Sequence, residues 1–257
     1  MTSRATVRPL LVGTGRRPLD SLVMGATSEL IDTVFVMFLV QDGRRNILVD
    51  TGIIPPDEAC AHHHPCAQTS EQQPVHALER VGVSPDDVDT VVLTHLHWDH
   101  AANVDLFPNA AVYVQRDELR YARDPLPVHR GAYDQTTVVD CADQPDTDPP
   151  YLSFRNTPSL IDGDINLTDH VTILATPGHS PGSQSVLVRT ESHRILLPGD
   201  NVPLHLNLPG GQHSYFTPNP THVDLRAYHR SMRRSFQLSD TIVPSHDPRV
   251  AEVPLLT

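Results

Sequence analysis

Residues Thr90 to His100 read TVVLTHLHWDH. The first five, Thr90 to Thr94, are apolar and β-branched, the pattern of a buried strand. The next six hold four side chains that can bind a metal: His95, His97, Asp99 and His100. A tight loop leaving a strand end is a rigid support for such groups. His95 and His97 are two apart, so in extended backbone they project to the same side. Asp99 and His100 follow as the chain turns and point to a neighbouring place. Two ligand groups offset in this way suit two metal ions a few ångströms apart. The bland alternative is a His-rich surface turn, but this density of ligands directly behind an apolar strand argues for a metal site.

Three later strand ends offer more ligands. Thr176-Pro177-Gly178-His179 follows VTILA, Leu197-Pro198-Gly199-Asp200 follows RILL, and Ser245-His246-Asp247 follows TIV. Each alone is weak. Together they complete a set of five His and two Asp. One metal would take His95, His97 and His179, the other Asp99, His100 and His246, with Asp200 bridging. Neutral imidazole plus carboxylate suits zinc, with iron, manganese or cobalt as alternatives.

Around these motifs the chain reads as mixed α/β. Val34 to Val40 (VFVMFLV) and Asn46 to Asp50 (NILVD) form an expected hairpin across Gln41-Asp42-Gly43-Arg44. Residues 54–74 show no period and are expected as one long loop. Val75 to Val81 is a short helix candidate, and Ser84-Pro85-Asp86-Asp87 is a helix-start signal. Ala110 to Gln115 is expected as a strand and Arg116 to Arg123 as a helix. Residues 124–165 read as irregular with short strands, followed by strands at Val171 to Thr176, Ser185 to Thr190 and Arg194 to Leu197. Residues 201–220 read as loop. Val223 to Phe236 reads as a helix with Leu225, Tyr228, Met232 and Phe236 on its inner face and its arginines on a solvated one. Thr241 to Pro244 is the last strand. No repeat and no linker composition divides residues 1–257, which are expected as one domain.

Composition excludes several classes. The formal net charge is −12, and all 19 basic residues are Arg, which argues against nucleic acid as a partner. At 39% hydrophobic and 19% charged, the 257 residues fit a folded soluble chain. Cys60, Cys66 and Cys141 make an odd count and no disulfide framework. The N-terminus lacks a signal-peptide core, and the most apolar run, Leu30 to Val40, is too short to span a bilayer. The expectation is a cytoplasmic protein with no membrane partner. His62-His63-His64, between Cys60 and Cys66, does not match a zinc spacing and is expected as a mobile loop near the mouth of the site.

HLHWDH, then PGH, GD and SHD, resembles the metallo-β-lactamase superfamily. Within it, FLVQDGRRNILVDTG, VGVSPDDVDTVVLTHLHWDHAAN, VYVQRDEL and TPGHSPGSQSVLV resemble the N-acyl homoserine lactone lactonases. The resemblance covers roughly residues 30–250. It implies an αββα sandwich of two mixed sheets flanked by helices, with a dimetal site between the sheets at one edge. Asp50 matches the Asp of the family's LVDTG and would orient the HLHWDH loop without binding metal. The resemblance also suggests a homodimer. Two positions depart from the lactonase pattern. Pro203 stands where they carry a substrate-holding Tyr, three residues after the bridging Asp, and Ser183 replaces the second His of PGHSPGHQ. His205 or Tyr215 is a candidate to replace that Tyr. Trp98 is either a wall of the substrate pocket or a core aromatic under the loop.

The expected chemistry is lactone opening, of an N-acyl homoserine lactone in a quorum-quenching enzyme. A hydroxide shared by two cations attacks the carbonyl, and Asp99 passes a proton to the leaving alkoxide. The alternative keeps the fold and metals and changes the substrate: another ester, a thioester, a phosphotriester or a secondary-metabolite intermediate. A mononuclear iron oxidoreductase, a non-catalytic binding protein and a nuclease are the more distant readings. An intact ligand set disfavours the second and the acidic charge the third.

Overall fold

The protein was described from a computed structural model, which covers residues 4–134, 147–211 and 213–257. Cys141, part of the 124–165 segment and Met1 to Ser3 lie outside the described residues. In chain order the regular elements are β1 (Thr6–Pro18), β2 (Leu30–Asp42), β3 (Arg45–Val49), α1 (Pro56–His62), β4 (Cys66–Ala67), α2 (Pro74–Glu79), β5 (Thr90–Val92), β6 (Ala111–Gln115), α3 (Arg116–Arg123), β7 (Ser159–Ile161), β8 (Ile165–Asn166), β9 (Val171–Ala175), β10 (Gln184–Arg189), β11 (Arg194–Leu197), α4 (Leu225–Leu238) and β12 (Thr241–Ile242). They form a seven-stranded sheet in the order β4-β1-β2-β3-β5-β6-β7 and a five-stranded sheet in the order β12-β11-β10-β9-β8. Both are mixed: β3, β5, β6 and β7 run parallel in the first, and β11 and β12 in the second.

The apolar run in β2 is explained by burial on both faces. Val34, Val36, Phe38 and Val40 pack with Val171, Ile173, Val186, Val188, Ile195 and Leu197 between the sheets. The alternate residues Phe35, Met37 and Leu39 pack instead with Ala77 and Leu78 of α2 and Leu119 and Ala122 of α3. On the far side, Tyr228 and Met232 of α4 close over Val202 and Phe216. The result is two mixed sheets flanked by helices, the expected αββα arrangement.

Several local expectations are corrected. Sequence reading leaves residues 6–18 without an element, yet they form β1, paired with β2 along nearly its whole length. Their two Gly, two Pro and two-Arg run hide any alternation, and pairing with β2 supplies the order. Residues 54–74 are not one loop: Pro55 and Pro56 start α1, with Asp57 and Glu58 in its first turn, and β4 then pairs with β1. Helix α4 starts two residues later than expected because Asp224 caps it, accepting from Arg226 N at 2.8 Å and Ala227 N at 2.9 Å. Its inner face carries Ala227, Tyr228, Ser231, Met232 and Ser235, while Leu225 and Phe236 are each 38% exposed. Short strands β7 and β8 do occur at the end of the 124–165 segment. Among the described residues, no helix is long and apolar enough to cross a membrane.

Candidate metal centre

Each expected ligand lies just past the C-terminal end of a strand, and the strands come from both sheets. Asp50 leaves β3, residues 94–100 follow β5, His179 follows β9, Asp200 follows β11 and His246 follows β12. Asp50 adopts a left-handed backbone (φ 62°), which Asp tolerates better than most residues. Its Oδ1 accepts from Thr94 N at 2.7 Å, and its Oδ2 accepts from Thr94 Oγ1 at 2.9 Å and from His100 Nδ1 at 2.8 Å. The carboxylate therefore ties both ends of the HLHWDH loop to the end of β3. Gly199 brings the Asp200 turn against the same loop. A Cβ there would fall 2.6 Å from Thr94 Oγ1, and its φ of 55° disfavours other residues.

The seven residues converge. His95, His97 and His179 form one buried group, His95, His100 and Asp200 a second, and Asp99, His100 and His246 a third; within each, ligand atoms lie within 4.8 Å of one another. Asp200 reaches across the set: Oδ1 is 3.2 Å from His100 Nε2 and 2.9 Å from His246 Nε2, while Oδ2 is 3.8 Å from His179 Nε2. Ser245 Oγ donates to Asp200 Oδ1 at 2.7 Å. Asp99 sits 3.8 Å from His100 Nε2 and 3.7 Å from His246 Nε2. The remaining ring nitrogens are oriented from behind. His179 Nδ1 donates to Thr221 O at 2.6 Å, and His246 Nδ1 donates to Val34 O at 2.9 Å. Pro203 contributes through its backbone, its carbonyl accepting from His246 N at 2.9 Å.

The donor chemistry fits divalent cations. His95 Nε2, His100 Nε2 and His246 Nε2 are buried and lack a hydrogen bond of good geometry. Buried polar atoms are normally satisfied, so three converging orphans call for a partner. Burial, reinforced by His100 and His97, holds His95 well below its ordinary pKa, and burial with His179 does the same for His97. Burial lowers His179 to about 4. Neutral imidazoles of this kind are ready metal ligands. His100 is the exception: burial alone would lower it, but the carboxylates of Asp200, Asp50 and Asp99 outweigh burial and raise it. Burial works against ionisation of Asp200 and Asp99, yet the neighbouring His246 and His100 hold both below the usual carboxylate range.

A cavity of about 190 Å³ opens on this cluster, lined by Arg17, His63, His64, His97, Trp98, Asp99, Ala132, His179, Asp200, Asn219 and Thr221. Two larger hollows, of about 500 and 530 Å³, lie along β1 and contain none of the clustered ligands. Trp98 fills both roles weighed for it: it is 5% exposed within the core and lines the cavity. His63 and His64 do lie at the cavity, in the turn just past α1, whereas His62 is the last residue of that helix. The structure does not bring His205 or Tyr215 there. His205 Nδ1 faces Asp247 Oδ2 at 2.8 Å, and Tyr215 is 61% exposed, stacked on His213.

Sequence reasoning missed Glu118. This fully buried carboxylate of α3 joins two of the ligand loops. Its Oε1 accepts from Leu96 N at 2.9 Å and Tyr133 Oη at 3.1 Å. Its Oε2 accepts from Ser180 Oγ and, at 3.3 Å, from Gly182 N. Burial raises its pKa against the pull of these donors. A side chain at Gly182 would overlap the Glu118 backbone, so this glycine permits the approach. Ser183 Oγ accepts from Ser180 N at 2.9 Å and so holds the same turn. The quoted VYVQRDEL stretch contains Glu118, but a charged residue in a helix's first turn gives no sign of such a role.

A two-sheet sandwich with this ligand set at the strand ends defines a class, the metal-dependent hydrolases. The metallo-beta-lactamase superfamily pattern matches residues 34–246, and the chain belongs to that superfamily. It is 32% identical over 207 residues to an N-acyl homoserine lactonase of Bacillus thuringiensis, covering 75% of this chain and 74% of the relative. It is 36% identical over 129 residues to the lactonase AttM of Rhizobium radiobacter, covering 49% and 46% of the two chains. Among solved structures, an N-acyl homoserine lactone hydrolase bound to the product N-hexanoyl-L-homoserine at its catalytic metal centre superposes with a TM-score of 0.74 at 25% identity, covering 98% of this chain and 96% of its own. The B. thuringiensis AiiA variant F107W superposes with a TM-score of 0.71 at 26% identity, covering 98% and 96%.

Proposed function

We propose that this protein is a dinuclear-metal hydrolase that opens a lactone ring, with N-acyl homoserine lactones the first compounds to test. The observation that carries the reading is the convergence of seven buried ligands from four strand ends. It is supported by similarity to lactonases over three quarters of the chain. In this reading His95, His97 and His179 hold one ion, Asp99, His100 and His246 hold the other, and Asp200 offers one oxygen to each. Zinc is the first candidate for both. Bound there, the cations would make hydroxide available at neutral pH and draw charge from a carbonyl oxygen.

The chain's own residues position and relay. Asp50 Oδ2 accepts a hydrogen bond from His100 Nδ1 at 2.8 Å and so aims His100 Nε2 at the centre. The carbonyls of Thr221 and Val34 do the same for His179 and His246. Asp99 lines the cavity beside His100 and His246, where its carboxylate can pass a proton to the leaving alkoxide. Trp98 limits water on one wall. Because both sheets supply ligands, this reading takes the two sheets as one functional unit. The test is Asp200→Ala, assayed for bound metal and for ring opening. Loss of both is expected; full activity in this variant refutes the bridging role. Metal-loaded protein that opens no lactone but cleaves an ester, thioester or phosphotriester moves the substrate and leaves the metal chemistry in place.

A further inference from the structure

Three polar side chains line the cavity without belonging to the ligand cluster: Arg17 at the end of β1, and His63 and His64 just past α1. The chemistry above uses none of them. Arg17 Nε donates to Ser21 Oγ at 3.1 Å, and among the described residues no carboxylate lies within 4.0 Å of its guanidinium, although its charge acts on Asp99 of the same cavity. His63 Nε2 and His64 Nε2 are both buried without a hydrogen-bond partner. For His63, Asp134 Oδ1 is 3.7 Å away, beyond hydrogen-bond length. The His63 ring is fixed against Trp98, with centroids 4.2 Å apart and planes at 7°. His64 packs against Phe35 and Trp98 at 5.9 and 5.5 Å. Among the described residues this guanidinium has a hydroxyl and no carboxylate in hydrogen-bond reach, and it stands beside two unpartnered buried nitrogens; a carboxylate on a ligand would answer all three.

The size and polarity of the space point the same way. The cavity holds about 190 Å³, and only Trp98 and Ala132 of its lining residues are apolar. Sites for drug-sized ligands usually run from roughly 300 Å³ upward with mostly apolar walls. We propose that Arg17, with His63 and His64, seats a carboxylate on the substrate, so the compound this site opens is a compact lactone bearing a carboxylate and not one bearing a long apolar chain. The inference rests on the lactonase reading above and, within it, moves the substrate from N-acyl homoserine lactones, which are neutral and carry an apolar chain, to compact acidic lactones.

The test compares γ-butyrolactone γ-carboxylate with its neutral carboxamide, which differ in charge and hardly in shape. Metal-loaded wild type should favour the carboxylate by about tenfold or more in kcat/KM, the scale of one charge-assisted hydrogen bond. Arg17→Met should bring that ratio close to 1, mainly through KM for the carboxylate. Arg17→Lys, which keeps the charge, should retain part of the preference and so separate charge from folding. Equal turnover of the two lactones by wild type, or an unchanged ratio in Arg17→Met, overturns the proposal while leaving lactonase activity established. A second readout does not depend on turnover: calorimetric binding of the matching cyclopentanone carboxylate, which has no ester to open. Weaker binding to Arg17→Met than to wild type supports the seat even where no lactone is opened, a result that would refute only the lactonase reading. Equal binding to the two proteins overturns the seat.

Discussion

Glu118→Gln tests whether one buried carboxylate holds two ligand loops in place. The substitution keeps the shape and one acceptor oxygen, and exchanges the other for an NH2 group that can only donate. If Oε2 is exchanged, Gly182 N loses its acceptor, while the Ser180 hydroxyl can turn and accept. If Oε1 is exchanged, Leu96 N loses its acceptor instead. In either orientation one backbone N–H is left facing a donor, at roughly 1–3 kcal/mol, and the surviving bonds lose their charge assistance. Burial has already raised the Glu118 pKa, so removing the charge recovers part of this loss. The net expectation is a destabilisation of about 2–3 kcal/mol.

Chelator-treated protein should be unfolded in urea, because bound metal would add its own stabilisation. With a slope near 3 kcal/mol/M for a chain of this size, the midpoint should fall by about 1 M. The same variant should bind zinc more weakly in competition with a coloured chelator. Leu96 lies between His95 and His97, and Ser180 is next to His179, so loosening the clamp separates the ligands of one proposed ion. A midpoint within about 0.3 M of wild type, together with unchanged zinc affinity, would refute the clamp.

Asp50→Asn should lower metal affinity by about 10–100-fold, because the amide must present a donor either to Thr94 or to the His100 ring proton; chelator competition reads this, and wild-type affinity would contradict the orienting role. Cys60 should react with iodoacetamide well before Cys66, as mapped by peptide mass spectrometry. Cys60 is exposed, whereas burial and its hydrogen bond to Cys60 push the Cys66 thiol up to about 12, so equal rates would show the local structure to be wrong.

What could be read in the sequence follows from the range of the interactions involved. The HLHWDH loop was legible because its four ligands are neighbours in the chain and a strand immediately before them fixes their directions. Asp200, His179 and His246 were legible because each repeats that local grammar of strand, short turn and ligand. Residues 34–40 were legible as a buried strand because both faces of β2 are covered, so every position is apolar. Strand β1 was not legible, because its order is imposed by a partner and its own residues show no alternation. Glu118 was invisible for a related reason. Its four donors come from residues 15 to 64 positions away, and a helix's first turn is an ordinary place for an acid. The cavity wall follows the same logic. Pro203 marks a missing substrate contact, and His205 and Tyr215, its candidate replacements, lie near it in sequence but away from the cavity. Polar side chains that do line the cavity come from the far end of the chain, Arg17 from β1 and His63 and His64 from the turn just past α1. The ligand set depends on strand ends set by backbone pairing, whereas the wall depends on how β1 and α1 pack over them. Relatives can therefore keep the metals and differ in substrate, and substitutions in this chain at Arg17 and His64 should move selectivity with little effect on metal content.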